Sequence, residues 1–240
     1  NDNVNAVIAP LVSTIALALE PFVKQYEIPT FVSGSSVKLT NLKNPYIWQI
    51  RFNDEQAGQT MAKAAFNILK MKKPALIHDS DSFGQGIADA TRAELIKLGL
   101  SKDDIIEFTY NRGEKNFSPF IAQMKNAGCD GIIAGSLQIE ASLIMMQVAT
   151  SGMVVPCIGS TSFCSEIAIQ NAGKAAENWY SVSDWSPTIT SAEGKAFVQN
   201  YKAKYNKEPD LPSSTHYDSA QLIKVAIEMA NSCEPKAINT

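Results

Sequence analysis

The chain has 240 residues, 45% of them hydrophobic and 19% charged, with 21 basic against 24 acidic side chains and a net charge of −3. That length allows one large or two small domains with sizeable cores, and the absence of any basic run or polybasic helix argues against nucleic acid or an anionic membrane surface as a partner. No stretch reaches the roughly 18 uninterrupted apolar residues of a membrane span; the nearest candidate, Ala141 to Ile158, is broken by Ser142, Gln147, Gly152 and Pro156.

Val4 to Ala9 reads as a short apolar strand, followed by a helical pattern with Ile15, Leu19, Phe22, Val23 and Tyr26 on one face. Ser13 or Thr14 is the expected cap, because a hydroxyl there can accept from the unpaired N–H groups of the first turn, and Pro21 is expected to kink or restart the helix. Pro29 to Val32 is a second strand, running into Ser33, Gly34, Ser35 and Ser36. Two adjacent strand-to-helix junctions rich in hydroxyls (Ser13, Thr14, Ser35, Ser36) suit a small anion, a carboxylate in particular.

Tyr46 to Phe52 alternates as a strand, and Asn53 with Gln56 forms a capping-box pattern for a helix over Asp54 to Met71. The stretch ALIHDSDSFGQGI, Ala75 to Ile87, organises the rest. A buried strand delivers the chain to a polar loop, and Gly84 and Gly86 open a helix whose amino terminus faces the same side. Phe83 is expected in that loop, where its ring either closes over a guest or serves as a staple anchoring the helix start.

From there strand and helix alternate. Strands are expected at Ile105 to Thr109, Asp130 to Ala134, Val154 to Ile158 and Trp179 to Val182, and helices end at Gly99, Gly128, Gly152 and Gly173. Apolar, non-alternating strands joined this way mean a parallel sheet covered on both faces, an α/β fold. Ser183 to Pro187 reads as a crossover between lobes. Thr190 with Glu193 starts a helix to Tyr205, and a last helix over about Ser214 to Asn231 is expected to bury Tyr217, Ala220, Ile223, Ala226 and Ile227.

The two His and four Cys show no metal-ligand spacing, so no metal or other cofactor is expected. Cys157 and Cys164 are close enough in sequence to bridge in an oxidising compartment. The turn DSFGQG lacks the spacing of a dinucleotide fingerprint, and neither a G-x-S-x-G elbow, a P-loop nor H-E-x-x-H occurs. His78 beside Asp79 is the one acid–base pair an enzyme could use; the expectation is a non-enzyme.

The segments VNAVIAPLVST (4 to 14), IPTFVSGSSVKLT (28 to 40), YIWQIRFNDEQAG (46 to 58), ALIHDSDSFGQG (75 to 86), EKNFSPFIAQMKNAGCDGIIAG (114 to 135) and HYDSAQLIKVAIEMA (216 to 230) occur in an order that resembles the type I periplasmic binding proteins of ABC importers, in particular the branched-chain amino acid (leucine/isoleucine/valine)-binding family. The resemblance implies a two-lobed fold, each lobe a doubly wound parallel sheet, with lobe 1 at 1–50, lobe 2 at 51–183 and a return into lobe 1 at 184–240. It implies an extracytoplasmic or periplasmic lipoprotein, non-catalytic, that binds a small amino acid or carboxylate in the cleft between lobes and delivers it to a membrane permease. It also implies a chain truncated at both ends, with the signal peptide outside it.

Carried over by position, Thr14 and Ser36 match residues that bind the ligand's carboxylate, the carbonyl near Gly34 an acceptor for its ammonium, and Phe83 an aromatic that packs on it. Leu137 and Gln138 stand at a second aromatic position. Thr161, after Gly159 and Ser160, stands where the amino acid binders have the glutamate that holds the ammonium. A buried ammonium without an anionic partner is costly. The charge therefore comes from Glu140, Asp79 or Asp184, or the ligand is an amine-free carboxylate or small amide. A ligand-sensing regulatory domain of the same fold is the rival reading.

Overall fold

The structure is a computed structural model that describes residues 3–239. The outermost positions of the lobe assignment, 1, 2 and 240, lie outside the described residues. The chain divides into two compact units: unit 1 comprises the described residues up to Asn53 and those from Asp184 onward, and unit 2 is Asp54–Ser183. All strand pairing in both is parallel, as expected of apolar strands joined through helices.

Unit 2 opens with α3 (Asp54–Lys63) and continues through β4 (Pro74–Asp79), α4 (Ser82–Lys97), β5 (Ile106–Tyr110), α5 (Ser118–Asn126), β6 (Gly131–Gly135), α6 (Gln138–Thr150), β7 (Cys157–Gly159), α7 (Glu166–Ala172) and β8 (Trp179–Ser181). The sheet order is β5-β4-β6-β7-β8. Every residue of β4 is buried, which explains its continuous apolar run. Ala75 and Ile77 join Phe108, Phe117, Ile132, Ala134, Ile144 and Met145 in one core. The helix stops fall where glycine was expected: Gly99, Gly128 and Gly152 take φ of 109°, 69° and 71°, a region that other residues enter only with strain.

Regular α-bonding in the first helix of unit 2 ends at Lys63, not Met71, and a π-helical turn, Ala64–Ile68, takes over. The wider turn sends Leu69 N–H to Ala64 O at 2.9 Å and leaves Met71 1% exposed, under the sheet. Gly58 lets α3 lie against α4, since a Cβ there would stand 2.7 Å from Ala90 Cβ and 2.8 Å from Ile87 O.

Unit 1 contains β1 (Val7–Ala9), α1 (Ser13–Tyr26), β2 (Thr30–Val32), α2 (Val37–Asn41) and β3 (Ile47–Gln49), then α8 (Ala192–Tyr205), α9 (Leu211–Ala230) and α10 (Pro235–Ile238). The strands are shorter than the sequence suggests and run in the order β1-β2-β3. Helix α1 runs on through Pro21 without restarting, and its N-cap is Val12, with no side-chain cap; the hydroxyl of Ser13 is used elsewhere.

The largest departure is α9. Its buried residues are Ser214, Thr215 and Ser219, whereas Tyr217 is 45% exposed. The hydroxyls satisfy themselves on their own helix, Ser214 donating to Leu211 O at 2.9 Å and Ser219 to Thr215 O at 2.8 Å, so a polar stripe can pack without stranded donors. Of the residues expected inside, Ile223, Ala226 and Ile227 are half-buried on the face of Ser219, while Tyr217 and Ala220 are exposed.

Candidate functional site

In a parallel sheet the crevice for a ligand lies beyond the carboxyl ends of the strands, where the strand order reverses. In unit 2 that point is the carboxyl end of β4, with β5 on one side and β6 on the other. The loop after β4 carries Asp79, Ser80 and Asp81. Asp81 caps α4, accepting from Phe83 N at 3.0 Å and Gly84 N at 3.4 Å, and pairs with Arg112 from the loop after β5. Phe83 is not in the loop but in the first turn of α4 and is 7% exposed, so its ring is packed in unit 2. Leu137 is the N-cap of α6 and Gln138 its first residue, both half-buried. Thr161, one strand further along, is 8% exposed at the start of a short 3-10 turn.

Beneath these residues lies a polar floor. Asp79 is 2% exposed; burial pushes its carboxyl up to about 6, with the Arg112 charge and the Gly84 N–H pulling it back and Glu140 and Asp54 adding to the rise. Glu140 accepts from Gly113 N at 2.9 Å. A chain of serines crosses the strand ends: Ser160 Oγ donates to Ser136 O at 3.1 Å, and Ser181 Oγ donates to Ser160 O at 2.8 Å. Burial also raises the Tyr110 phenol far above its ordinary value, Ser136 acting in the opposite sense.

In unit 1 the structure brings Ser13, Gly34, Ser35 and Ser36 together. Ser13 Oγ accepts from Ser35 N at 3.2 Å and Ser36 N at 3.1 Å, so the two loop N–H groups of the expected anion cradle are already bound by the serine opposite them. Ser36 caps α2, accepting from Lys38 N at 3.4 Å. The carbonyl of Gly34, expected to face an ammonium, accepts from Gln49 Nε2 at 2.8 Å. Gly34 packs closely, a Cβ there standing 3.2 Å from Ser13 Cα. Thr14 is exposed beside this group, in the first helical turn, where N–H groups have no intrahelical partner.

Gln49 was missed in the sequence; its place at the carboxyl end of a strand was the available signal. The Asp79, Arg112 and Glu140 grouping was missed too, because it joins three loops. His78, the one residue that suggested acid–base chemistry, is fully buried, with Nδ1 2.8 Å from Asp79 O and Nε2 3.1 Å from both Glu107 Oε1 and Thr109 Oγ1. Both ring nitrogens have structural partners. The four cysteines are free thiols, and that of Cys157, which donates to Val155 O at 3.3 Å, is pushed up to about 12 by burial.

Among known proteins, the model of the family described as periplasmic binding protein matches residues 1–240. The chain belongs to that family. An amino acid binding protein of Pseudomonas aeruginosa is 30% identical over 183 residues, 76% of this chain and 48% of that protein. The branched-chain amino acid transporter substrate-binding protein of Streptococcus pneumoniae, solved with isoleucine, superposes with a TM-score of 0.90 at 26% identity, covering 98% of this chain and 67% of that one. A solute-binding protein from R. palustris, solved with benzoate, superposes with a TM-score of 0.91 at 18% identity, covering 99% of this chain and 66% of that one, a likeness of fold. The chain thus spans about half the length of the curated relatives it matches. As a periplasmic binding protein it is an α/β protein of the type I fold, and no helix among the described residues is long and apolar enough to cross a membrane.

Proposed function

We propose that the chain is the ligand-binding part of an extracytoplasmic solute-binding protein of an ABC importer, and that its solute is a small carboxylate without an ammonium group. Unit 1 supplies the carboxylate subsite. Ser13 accepts two N–H bonds, which leaves its own proton to donate to a ligand oxygen, with the Thr14 and Ser36 hydroxyls beside it. In unit 2 the candidate contact residues are Leu137, Gln138 and Thr161 at the strand ends, with Phe83 packed in the first turn of α4 beside them, and a permease is the partner that takes the solute onward. The family's binders of amino acids and of benzoate frame the choice.

One observation carries the preference for an amine-free solute: each carboxylate that was to replace the missing glutamate is engaged. Asp184 is held by Arg51 through Nε at 2.9 Å and Nη2 at 3.1 Å. Glu140 is held by Gly113 N–H, and Asp79 accepts from Asp81 N at 3.1 Å. An ammonium arriving at one of them would have to share that carboxylate with the partner it already holds while losing its own hydration.

The test is a thermal-shift screen with benzoate, aliphatic carboxylates, small amides, leucine and isoleucine. A ligand at about 100 times its Kd adds about 2.7 kcal/mol to stability. Stabilisation by benzoate or an aliphatic carboxylate, lost in Ser13→Ala, supports the reading. Stabilisation by leucine or isoleucine alone overturns it and returns the ammonium to one of the three carboxylates.

A further inference from the structure

Away from these residues, unit 1 carries an aromatic cavity of about 300 Å³ between α8 and α9, lined by Phe197, Tyr201, Lys204 and Tyr205 from one helix and Ser213 and Tyr217 from the other. We propose that this cavity is a second binding site, for a planar aromatic carboxylate.

The rings form a continuous cluster along the two helices. Phe197 lies 4.6 Å from Tyr217 and Tyr201 lies 4.6 Å from Tyr205, centroid to centroid, both pairs tilted. Trp185 stands edge-on to Phe197 at 6.0 Å. A cluster serving only to join the helices would be covered, yet Tyr205 is 52% and Tyr217 45% exposed, so two of its rings are half in water. The spacing of 197, 201, 204 and 205 puts all four α8 residues on one face of that helix.

The floor is a closed hydrogen-bonded set, and the charge that selects an anion comes from Lys204 alone. Ser213 Oγ lies 2.5 Å from Asp210 Oδ1 and 3.0 Å from Tyr201 Oη. The carboxylate can only accept, so the serine's proton goes to it and the Tyr201 proton goes to the serine; both protons are spent within the floor, which offers none to a ligand and has the Asp210 carboxylate behind it. Lys204 supplies the charge. Its ammonium lies over the Tyr205 ring, 5.4 Å from the centroid, and among the described residues it has no carboxylate partner, whereas Lys202 on the same helix is paired with Glu208. A cation beside exposed ring faces recognises a flat ring that carries negative charge, and the volume is at the small end for ligand pockets, room for one or two fused rings.

The experiment titrates the full chain with 2-naphthoate, with neutral 2-naphthylmethanol and with cyclohexanecarboxylate, following the tyrosine ring signals by NMR. Saturable shifts at Tyr201, Tyr205 and Tyr217 are expected with naphthoate, at a Kd several-fold below that of the alcohol, and none with the saturated acid. Lys204→Gln, at an exposed position, is expected to bring naphthoate and the alcohol to the same affinity, and Tyr205→Ser to weaken both about tenfold. Ser13→Ala leaves these shifts in place, which separates this site from the carboxylate subsite proposed above. The proposal is overturned if the three rings do not shift saturably, if the alcohol binds as tightly as naphthoate to the unmodified chain, or if the shifts vanish in Ser13→Ala.

Discussion

In unit 2 the central strand β4 is buried along its whole length, and Phe117, Ile132, Ile144 and Met145, each 1% exposed or less, pack with it into a closed core. In unit 1 the sheet is three strands of three residues, and its core cluster is Ala9, Ala16, Val32 and Leu39. Ile8, Ile15, Phe22, Leu222, Val225 and Met229, on β1, α1 and α9, are each at least 40% exposed. Burial stabilises by about 25 cal/mol per Å² of apolar surface removed from water. The same local grammar of apolar strands and capped helices thus produces a deep core in unit 2 and a shallow one in unit 1, so stability should be unequal across the chain.

The strongest way to break this comparison is to remove the best-buried ring in unit 2. Phe117 is fully buried and edge-on to Tyr110 at 4.9 Å. Phe117→Ala is expected to cost 3–5 kcal/mol, on the order set by other buried aromatics, read as a loss in the urea midpoint of unit 2. Leu39→Ala in unit 1 should cost nearer the low end, about 2 kcal/mol, because a shallow core collapses more easily. Equal costs would mean that unit 1 is as tightly packed as unit 2. Hydrogen exchange sharpens the same contrast, with the amides of β2 expected to exchange faster than those of β4 and β6.

Asp79 tests whether the polar floor of unit 2 lowers its stability. Its folded value of about 6 lies above the ordinary 3.8. For a raised group the stabilising contribution is full below the unfolded value and is lost as pH rises through the folded one, so the carboxylate disfavours folding above about pH 6. Asp79→Asn keeps an oxygen for Asp81 N–H and should stabilise unit 2 by up to about 3 kcal/mol at pH 8 and by almost nothing at pH 4. A gain independent of pH would sink this account.

Gly58→Ala should cost about 1–3 kcal/mol, because the added methyl meets backbone atoms of α4 that cannot rotate away. The smallest effect belongs to unit 1. Lys236 and Glu27 pair at 2.9 Å but are 77% and 47% exposed, so Lys236→Ala should leave the melting temperature unchanged, as expected for an exposed ion pair.

Much of this was readable residue by residue. Strand β4 followed by the Asp81-capped helix α4, the glycine stops at Gly99, Gly128 and Gly152, and the parallel α/β class all follow from patterns confined to a few neighbouring positions, where backbone sterics and local hydrogen bonds decide the outcome. The hydroxyls at Ser13, Ser35 and Ser36 were likewise visible as a group, since each follows a strand. Their use was not. That Ser13 binds the N–H groups of Ser35 and Ser36, and that Gln49 occupies the Gly34 carbonyl, depends on which loops meet across 15 to 23 residues, a matter of sheet order.

Helix α9 shows the limit most directly. Periodicity says that a helix has unlike faces, but which part turns inward is decided by what the neighbouring elements offer, and here Ser214, Thr215 and Ser219 are buried, Ile223, Ala226 and Ile227 half-buried, and Tyr217, Leu222, Val225 and Met229 exposed. The choice between the two roles of Phe83 was open for the same reason: its packing depends on where α4 begins, and it lies in the first turn of that helix. The sequence alone determined the elements, their parallel class and the chemistry available at the strand ends, because those are short-range properties. Only the tertiary structure decided which polar groups were already satisfied by one another and which were left to meet a ligand, because hydrogen-bond partnership across loops is a long-range property.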